Sequence, residues 1–153
     1  MKESQMLWGY YTWLLFHTLA EKIKESEFEH ERANLLYFIK KICSVLPCPD
    51  CSDHAMHLLK HYDYNYIKTK KDFQLFLFEF HNIVNKRKRL KVETSEVLNV
   101  YKKALLYKII TVWDEYFVVK GFNSKIITNN IQRNVIKKQF IKYIQFNKHK
   151  FDD

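Results

Sequence analysis

The chain has 153 residues, of which 47% are hydrophobic and 28% charged, and it carries a formal net charge of +9. That length predicts one domain with a proper core and a short appendage. Two glycines and two prolines exclude a turn-rich sheet sandwich, and three cysteines exclude a disulfide-dense secreted scaffold. No apolar run reaches the length of a membrane span. The N-terminal MKESQMLWGY lacks the apolar stretch of a signal peptide, so a cytoplasmic protein is expected.

Residues 6–24 read as a first helix, because Trp13, Phe16, His17 and Ala20 share one face of a 3.6-residue period. A second runs over 30–45, with Leu35, Phe38, Ile39 and Ile42 in one stripe. Pro47 lies past its end, and Pro49 suits the first turn of a third helix reaching about His61. HYDYNYIKTKKD is a connection. Residues 72–88 form the clearest helix, with Phe73, Phe76, Leu77, Phe80, His81 and Val84 on one face. A shorter helix follows near 94–107, and the tail holds two apolar-periodic patches at 109–119 and 131–146. The sum is an all-α bundle with a C-terminal helical extension.

Basic residues concentrate in NKRKRLK at 85–91 and across the last third. They read as a solvated face or as a surface for phosphates, an anionic membrane or an acidic partner, and charge alone does not choose. Lys137 and Lys138 are read as exposed.

The chemistry gathers at LPCPDCSDHA, residues 46–55. Cys48 sits at the mouth of the third helix and Cys51 in its first turn, where unpaired N–H groups and the helix dipole favour thiolate over thiol. A reducible C-x-x-C pair is one reading. Zinc held by Cys48, Cys51, His54 and His57 is another, but four ligands crowded on adjacent turns do not converge as two separated ligand pairs do. A structural disulfide suits a cytosolic chain poorly. A thioredoxin fold needs strands, and none is predicted. His17, His54, His81, Asn82 and Asn85 recur on apolar helix faces, where unsatisfied polar groups are costly. With Trp13 and Tyr101 they describe a slot for a planar, nitrogen-rich cofactor with a phosphate tail.

WGYYTWLLFHTLA at 8–20, LPCPDCSDHA at 46–55 and FHNIVN at 80–85 occur in that order. In series they resemble the Erv/ALR family of FAD-linked sulfhydryl oxidases, most of all the short members encoded by large cytoplasmic DNA viruses, over residues 6–107. The resemblance implies a four-helix bundle plus a short fifth helix cradling FAD, usually as a homodimer. It implies oxidation of dithiols to disulfides, with electrons passing through flavin to dioxygen to give hydrogen peroxide. Cys51 is then the flavin-proximal cysteine and Cys48 the one that meets substrate. Gly9, Trp13 and His17 match the first FAD motif, and His54 matches the histidine after C-x-x-C. His81, Asn82, Val84 and Asn85 match the adenosine-binding helix, and Tyr101 an aromatic on the fifth helix.

Two departures follow. Cys43 has no mate, so the chain lacks the family's second, shuttle pair, and it is read as a buried small hydrophobe. The expected partner is a thiol protein, a thioredoxin-like or small C-x-x-C relay. KRKRLK stands where the family has a leucine and a lysine, and Lys88 is placed at the FAD phosphates. The organisation expected is an FAD-binding oxidase domain over 1–107 and a basic helical extension over 108–153 packed on or beside it. No metal and no nucleic acid are expected. The competing reading is a zinc-stabilised helical adaptor that binds nucleic acid or a virion component.

Overall fold

The computed structural model describes residues 2–118 and 124–153. Residue 119, the end of the first tail patch, lies outside them. The protein is all-α, and among the described residues the one β feature is an isolated antiparallel bridge between Ile23 and Phe151. Four helices come first: α1 (Lys2–Lys22), α2 (Glu25–Cys43), α3 (Pro49–His61) and α4 (Lys70–Arg87). A 3-10 segment (Ser95–Lys103), α5 (Leu106–Tyr116) and α6 (Ser124–Phe146) follow, with short 3-10 turns at Tyr64–Tyr66 and Lys148–Lys150.

Local chemistry sets the boundaries. α4 starts two residues before the sequence pattern places it, because Thr69 and Asp72 form a capping box. The Thr69 hydroxyl accepts from the Asp72 N–H at 3.1 Å, and the Asp72 carboxylate accepts from the Thr69 N–H at 2.8 Å. The helix expected over 94–107 is instead a 3-10 segment followed by the separate helix α5. Val97, Leu98, Tyr101 and Ala104 are the half-buried positions there, the last three at a period of three, and a 3-10 helix eclipses residues three apart. The pattern was legible, but its period was three rather than 3.6.

α1 is the centre of the molecule. Leu15, Phe16, His17, Thr18, Leu19 and Ala20 are all buried, so the helix is covered on every side rather than along one stripe. It packs against α4, α5 and the 3-10 segment, while α2 packs against α3 and α6. The residues after 105 belong to the same buried cluster, through Leu106, Trp113, Phe117, Phe140, Ile144 and Phe151. Trp113 stacks on Phe117 at 4.7 Å, meets Phe140 edge-on at 5.5 Å and donates its indole N–H to the Thr12 hydroxyl at 3.1 Å.

Polar ties close the chain ends. Glu31, buried on α2, accepts from Tyr143 at 2.6 Å, from Asn34 at 3.2 Å and from Lys150. Burial alone raises its carboxyl pKa, but these bonds outweigh it and hold the group below the ordinary carboxylate value. Lys137 corrects the exposed basic tail expected from sequence. It is buried, and its ammonium pairs with Asp114 of α5 at 2.7 Å. Lys138 beside it is exposed.

Trp113→Ala should cost about 3–5 kcal/mol, the usual range for removing a large buried aromatic. Urea unfolding followed by circular dichroism should show one transition shifted to lower denaturant. Two separated transitions would mean that α5 and α6 fold apart from the bundle.

Candidate active site

Pro49 fixes the first residue of α3, and Cys48 before it is the N-cap in an extended conformation. The Cys48 sulfur accepts from the Cys51 N–H at 3.2 Å, and Cys48 and Cys51 form a disulfide with Cα atoms 5.2 Å apart. Both sulfurs therefore stand at the positive end of a helix, which stabilises a thiolate when the bond opens. Cys43 is a free, buried thiol on α2, and burial pushes its pKa up. Its burial is the setting of a small hydrophobe rather than of a thiolate.

Next to the disulfide lies a cavity of about 950 Å³ between α1, the start of α3 and the end of α4. Gly9, Trp13, Cys48, Cys51, His54, His81, Val84, Asn85 and Lys88 lie in its wall. His17, Asn82 and Tyr101 do not. The cavity wall also includes residues the motifs did not single out, among them Trp8, Tyr10, Phe16 and Leu90. Trp8 and Phe16 carry no signal beyond their place among apolar residues of α1, which is why the pattern passed over them.

Four rings are layered beside this cavity. Trp13 and His81 stack at 4.0 Å with planes 5° apart, and His17 and Tyr101 stack at 4.7 Å. His17 Nε2 and His81 Nδ1 lie 2.9 Å apart, so one of them donates to the other. His17 and Tyr101 thus support His81 from behind. Asn82 has a different task. Its amide donates to the Glu93 carbonyl at 2.9 Å and its oxygen accepts from the Glu93 N–H at 3.0 Å, so it ties down the segment after α4.

That segment leaves α4 through a tight reversal. The Leu90 N–H donates to the Asn85 carbonyl at 2.8 Å and the Arg89 N–H to the Lys86 carbonyl at 3.1 Å, the pattern of a Schellman motif. Arg89 takes the left-handed conformation, φ 57°, where glycine is usual. Leu90 then reaches the cavity wall, and Arg87 pairs with Asp50 of α3 at 3.1 Å.

The model of the Erv1 / Alr family matches residues 10–103. The chain belongs to that family. The matched span holds the whole cavity wall except Trp8 and Gly9, which precede it, and it ends before α5. Among relatives, the protein called "FAD-linked sulfhydryl oxidase" of African swine fever virus (isolate Pig/Kenya/KEN-50/1950) is 31% identical over 103 residues, covering 67% of this chain and 86% of its own. The namesake from the Warthog/Namibia/Wart80/1980 isolate is 30% identical over 103 residues, 67% of this chain and 86% of its own. A rice protein, "FAD-linked sulfhydryl oxidase ERV1", is 28% identical over 80 residues, 51% of this chain and 40% of its own. No solved structure matches significantly. Among the described residues no helix is long and apolar enough to cross a membrane.

Burial holds both histidines of this stack neutral. Burial first and the neighbouring His81 second push His17 down to about 3, and burial dominates in bringing His81 to about 4 despite Glu93. An unfolded chain binds these protons near the ordinary histidine value of about 6.5, whereas the folded chain does not. Stability is therefore complete above about pH 6.5 and falls as pH drops toward the folded values. Between about pH 6 and 5, before carboxylates titrate, the loss approaches about 1.4 kcal/mol per pH unit for each histidine. Urea midpoints of the flavin-free protein measure it, and His17→Gln should remove one histidine's share of the slope. An unchanged slope in that variant would contradict the assignment.

Proposed function

We propose that this chain is an FAD-dependent thiol oxidase that forms disulfides in protein substrates. The observation that carries the reading is the Cys48–Cys51 disulfide at a helix N-terminus, set in the wall of the same cavity as Trp13 and His81. The printed names of the relatives support it.

The cavity suits FAD on three counts. Its volume, about 950 Å³, is at the large end for a small-molecule site. The indole N–H of Trp8 is buried in the wall without a partner, and an unpaired buried donor is costly until an acceptor arrives. A Cβ built on Gly9 meets no atom within 4 Å, so nothing in the folded chain requires glycine at this helical position. Gly9, Trp13, His54, His81, Val84, Asn85 and Lys88 would hold the cofactor. Bound there, FAD would supply a two-electron acceptor for the reduced cysteine pair and a route for those electrons to dioxygen, which would be reduced to hydrogen peroxide.

The protein's own steps are thiol exchange. A substrate thiolate attacks the Cys48 sulfur, the Cys48–Cys51 bond breaks, and Cys51 leaves as a thiolate stabilised by the start of α3. A second substrate thiolate attacks the mixed disulfide and displaces Cys48. The substrate leaves as a disulfide, and the pair holds the two electrons as thiolates, which take up from solvent the two protons that the substrate thiols gave to it. Among these 153 residues the one cysteine outside the pair, Cys43, is buried and has no second cysteine to pair with. We therefore infer that the substrate is a separate thioredoxin-like or small C-x-x-C protein that meets Cys48 directly, in a cytoplasm that keeps such thiols reduced. The competing zinc-held adaptor would need Cys48 and Cys51 as two separate thiolates and would use the cavity for no cofactor.

Cys48→Ser and Cys51→Ser should each abolish dithiol-dependent oxygen uptake while retaining FAD. Cys43→Ser should keep turnover near wild type at a cost of roughly 1 kcal/mol in stability. Oxygen electrode traces and flavin absorption of the purified variants check this. A colourless wild-type protein loaded with zinc would overturn the reading.

Gly9→Ala separates cofactor from fold. Without FAD the variant should be more stable by about 0.5–1 kcal/mol, since alanine replaces glycine inside a helix. FAD retention on dilution should fall, because the new methyl group enters the cavity. Equal retention would place the flavin elsewhere.

A further inference from the structure

Arg133 belongs to α6, outside the span shared with the family, and its side chain is buried, 5% exposed. Its Nε donates to the Val45 carbonyl at 2.7 Å and its Nη2 to the Leu46 carbonyl at 3.4 Å. Nη1 donates to the Asn130 side-chain oxygen at 2.7 Å. None of these partners is a carboxylate. Burying a guanidinium among neutral acceptors is costly, and burial lowers its pKa. What the fork holds explains why the cost is borne. Val45 and Leu46 lie in the loop joining α2 to α3, which ends at Cys48. The same loop is held on its other side, where the Leu46 N–H donates to the Ser52 hydroxyl of α3 at 2.9 Å.

We propose that Arg133 is a positioning residue for the Cys48–Cys51 pair: by clamping the carbonyls of Val45 and Leu46 it fixes the loop and keeps Cys48 against Cys51. The proposal rests on the thiol-oxidase reading only for the task it gives that pair. The clamp limits what the chain gains in freedom when the disulfide opens, so it favours the disulfide over the dithiol. A nearby cation acts the other way, because it favours thiolates. Arg133→Lys keeps the cation and removes the planar fork that spans two carbonyls, so it isolates the clamp.

The test is equilibration of the full-length protein in glutathione buffers, with the cysteines trapped by alkylation and counted by mass. In this exchange two glutathiones give two electrons and two protons to the Cys48–Cys51 bond and leave as glutathione disulfide. Arg133→Lys should raise the equilibrium constant for reduction roughly fivefold, about 20 mV at 29.6 mV per decade. Asn130→Ala, which removes the group orienting the guanidinium, should shift it the same way by a smaller factor. Lys138→Ala on the exposed side of α6 should leave it unchanged. A folded Arg133→Lys protein with the wild-type constant overturns the proposal, and if that variant fails to fold, an unshifted Asn130→Ala does so. The equilibrium needs neither flavin nor oxygen. Wild-type oxygen uptake tests the oxidase reading, and the two therefore fail separately.

Discussion

From Leu15 to Ala20 no side chain of α1 is more than 3% exposed. A helix covered all round needs a neighbour on each side, and α4, α5 and the 3-10 segment supply them. That enclosure decides the polar chemistry. Thr12, His17 and Thr18 cannot reach water, so they need partners inside or remain costly. Thr12 is satisfied twice, donating to the Trp8 carbonyl at 2.7 Å and accepting from Trp113. His17 finds His81, and its second ring nitrogen stays unpaired. The neutral, layered rings beside the cavity are thus a consequence of burying α1, and the same dryness holds their protons off.

The two sulfurs are placed by a different logic. Their position depends on backbone geometry at one helix start: a proline that presets the first turn, an N-cap sulfur that accepts the Cys51 N–H, and a loop held from both sides. The disulfide is therefore presented by a rigid edge of the bundle. Across the cavity, Arg89 accepts a strained left-handed backbone so that Leu90 can turn back into the wall. Arg87, one turn earlier, reaches across to Asp50 and joins the end of α4 to the start of α3.

Local signals were legible in the sequence. Cys48, Pro49 and Cys51 announce a helix start, and the face running from Phe73 to Val84 announces α4, because both depend on residues within a few turns. The 3-10 segment was misread since Leu98, Tyr101 and Ala104 also fit a helical stripe when the period is not tested. Lys137 was misread as exposed because its partner Asp114 lies on another helix. Asn82 is expected at the cofactor from sequence, yet both ends of its amide serve the Glu93 backbone, and no spacing rule encodes that. Arg133 was invisible for the same reason: its partners are carbonyl groups, which carry no residue identity, at a remote point of the chain.

Among the described residues, those that follow the family span supply none of the cavity wall, yet they support the helices that form it. A large cavity forfeits packing along its lining, because atoms there lack neighbours on one side. The deficit has to be offset elsewhere in a domain whose net stability is only about 5–15 kcal/mol. Trp113, Phe117 and Phe140 are fully buried. A large aromatic buries about 150–250 Å², which at roughly 25 cal/mol per Å² is on the order of 4–6 kcal/mol each as an upper bound. Three such groups are comparable with the whole net stability. Trp113 rests directly on α1 through Thr12, and Phe140 on α2 through Phe38 at 5.4 Å. The extension is thereby tied to helices that meet the cavity, through Trp8, Trp13 and Phe16 of α1 and Cys43 of α2. An open, ring-lined cavity and a packed C-terminal extension are two sides of one energetic balance.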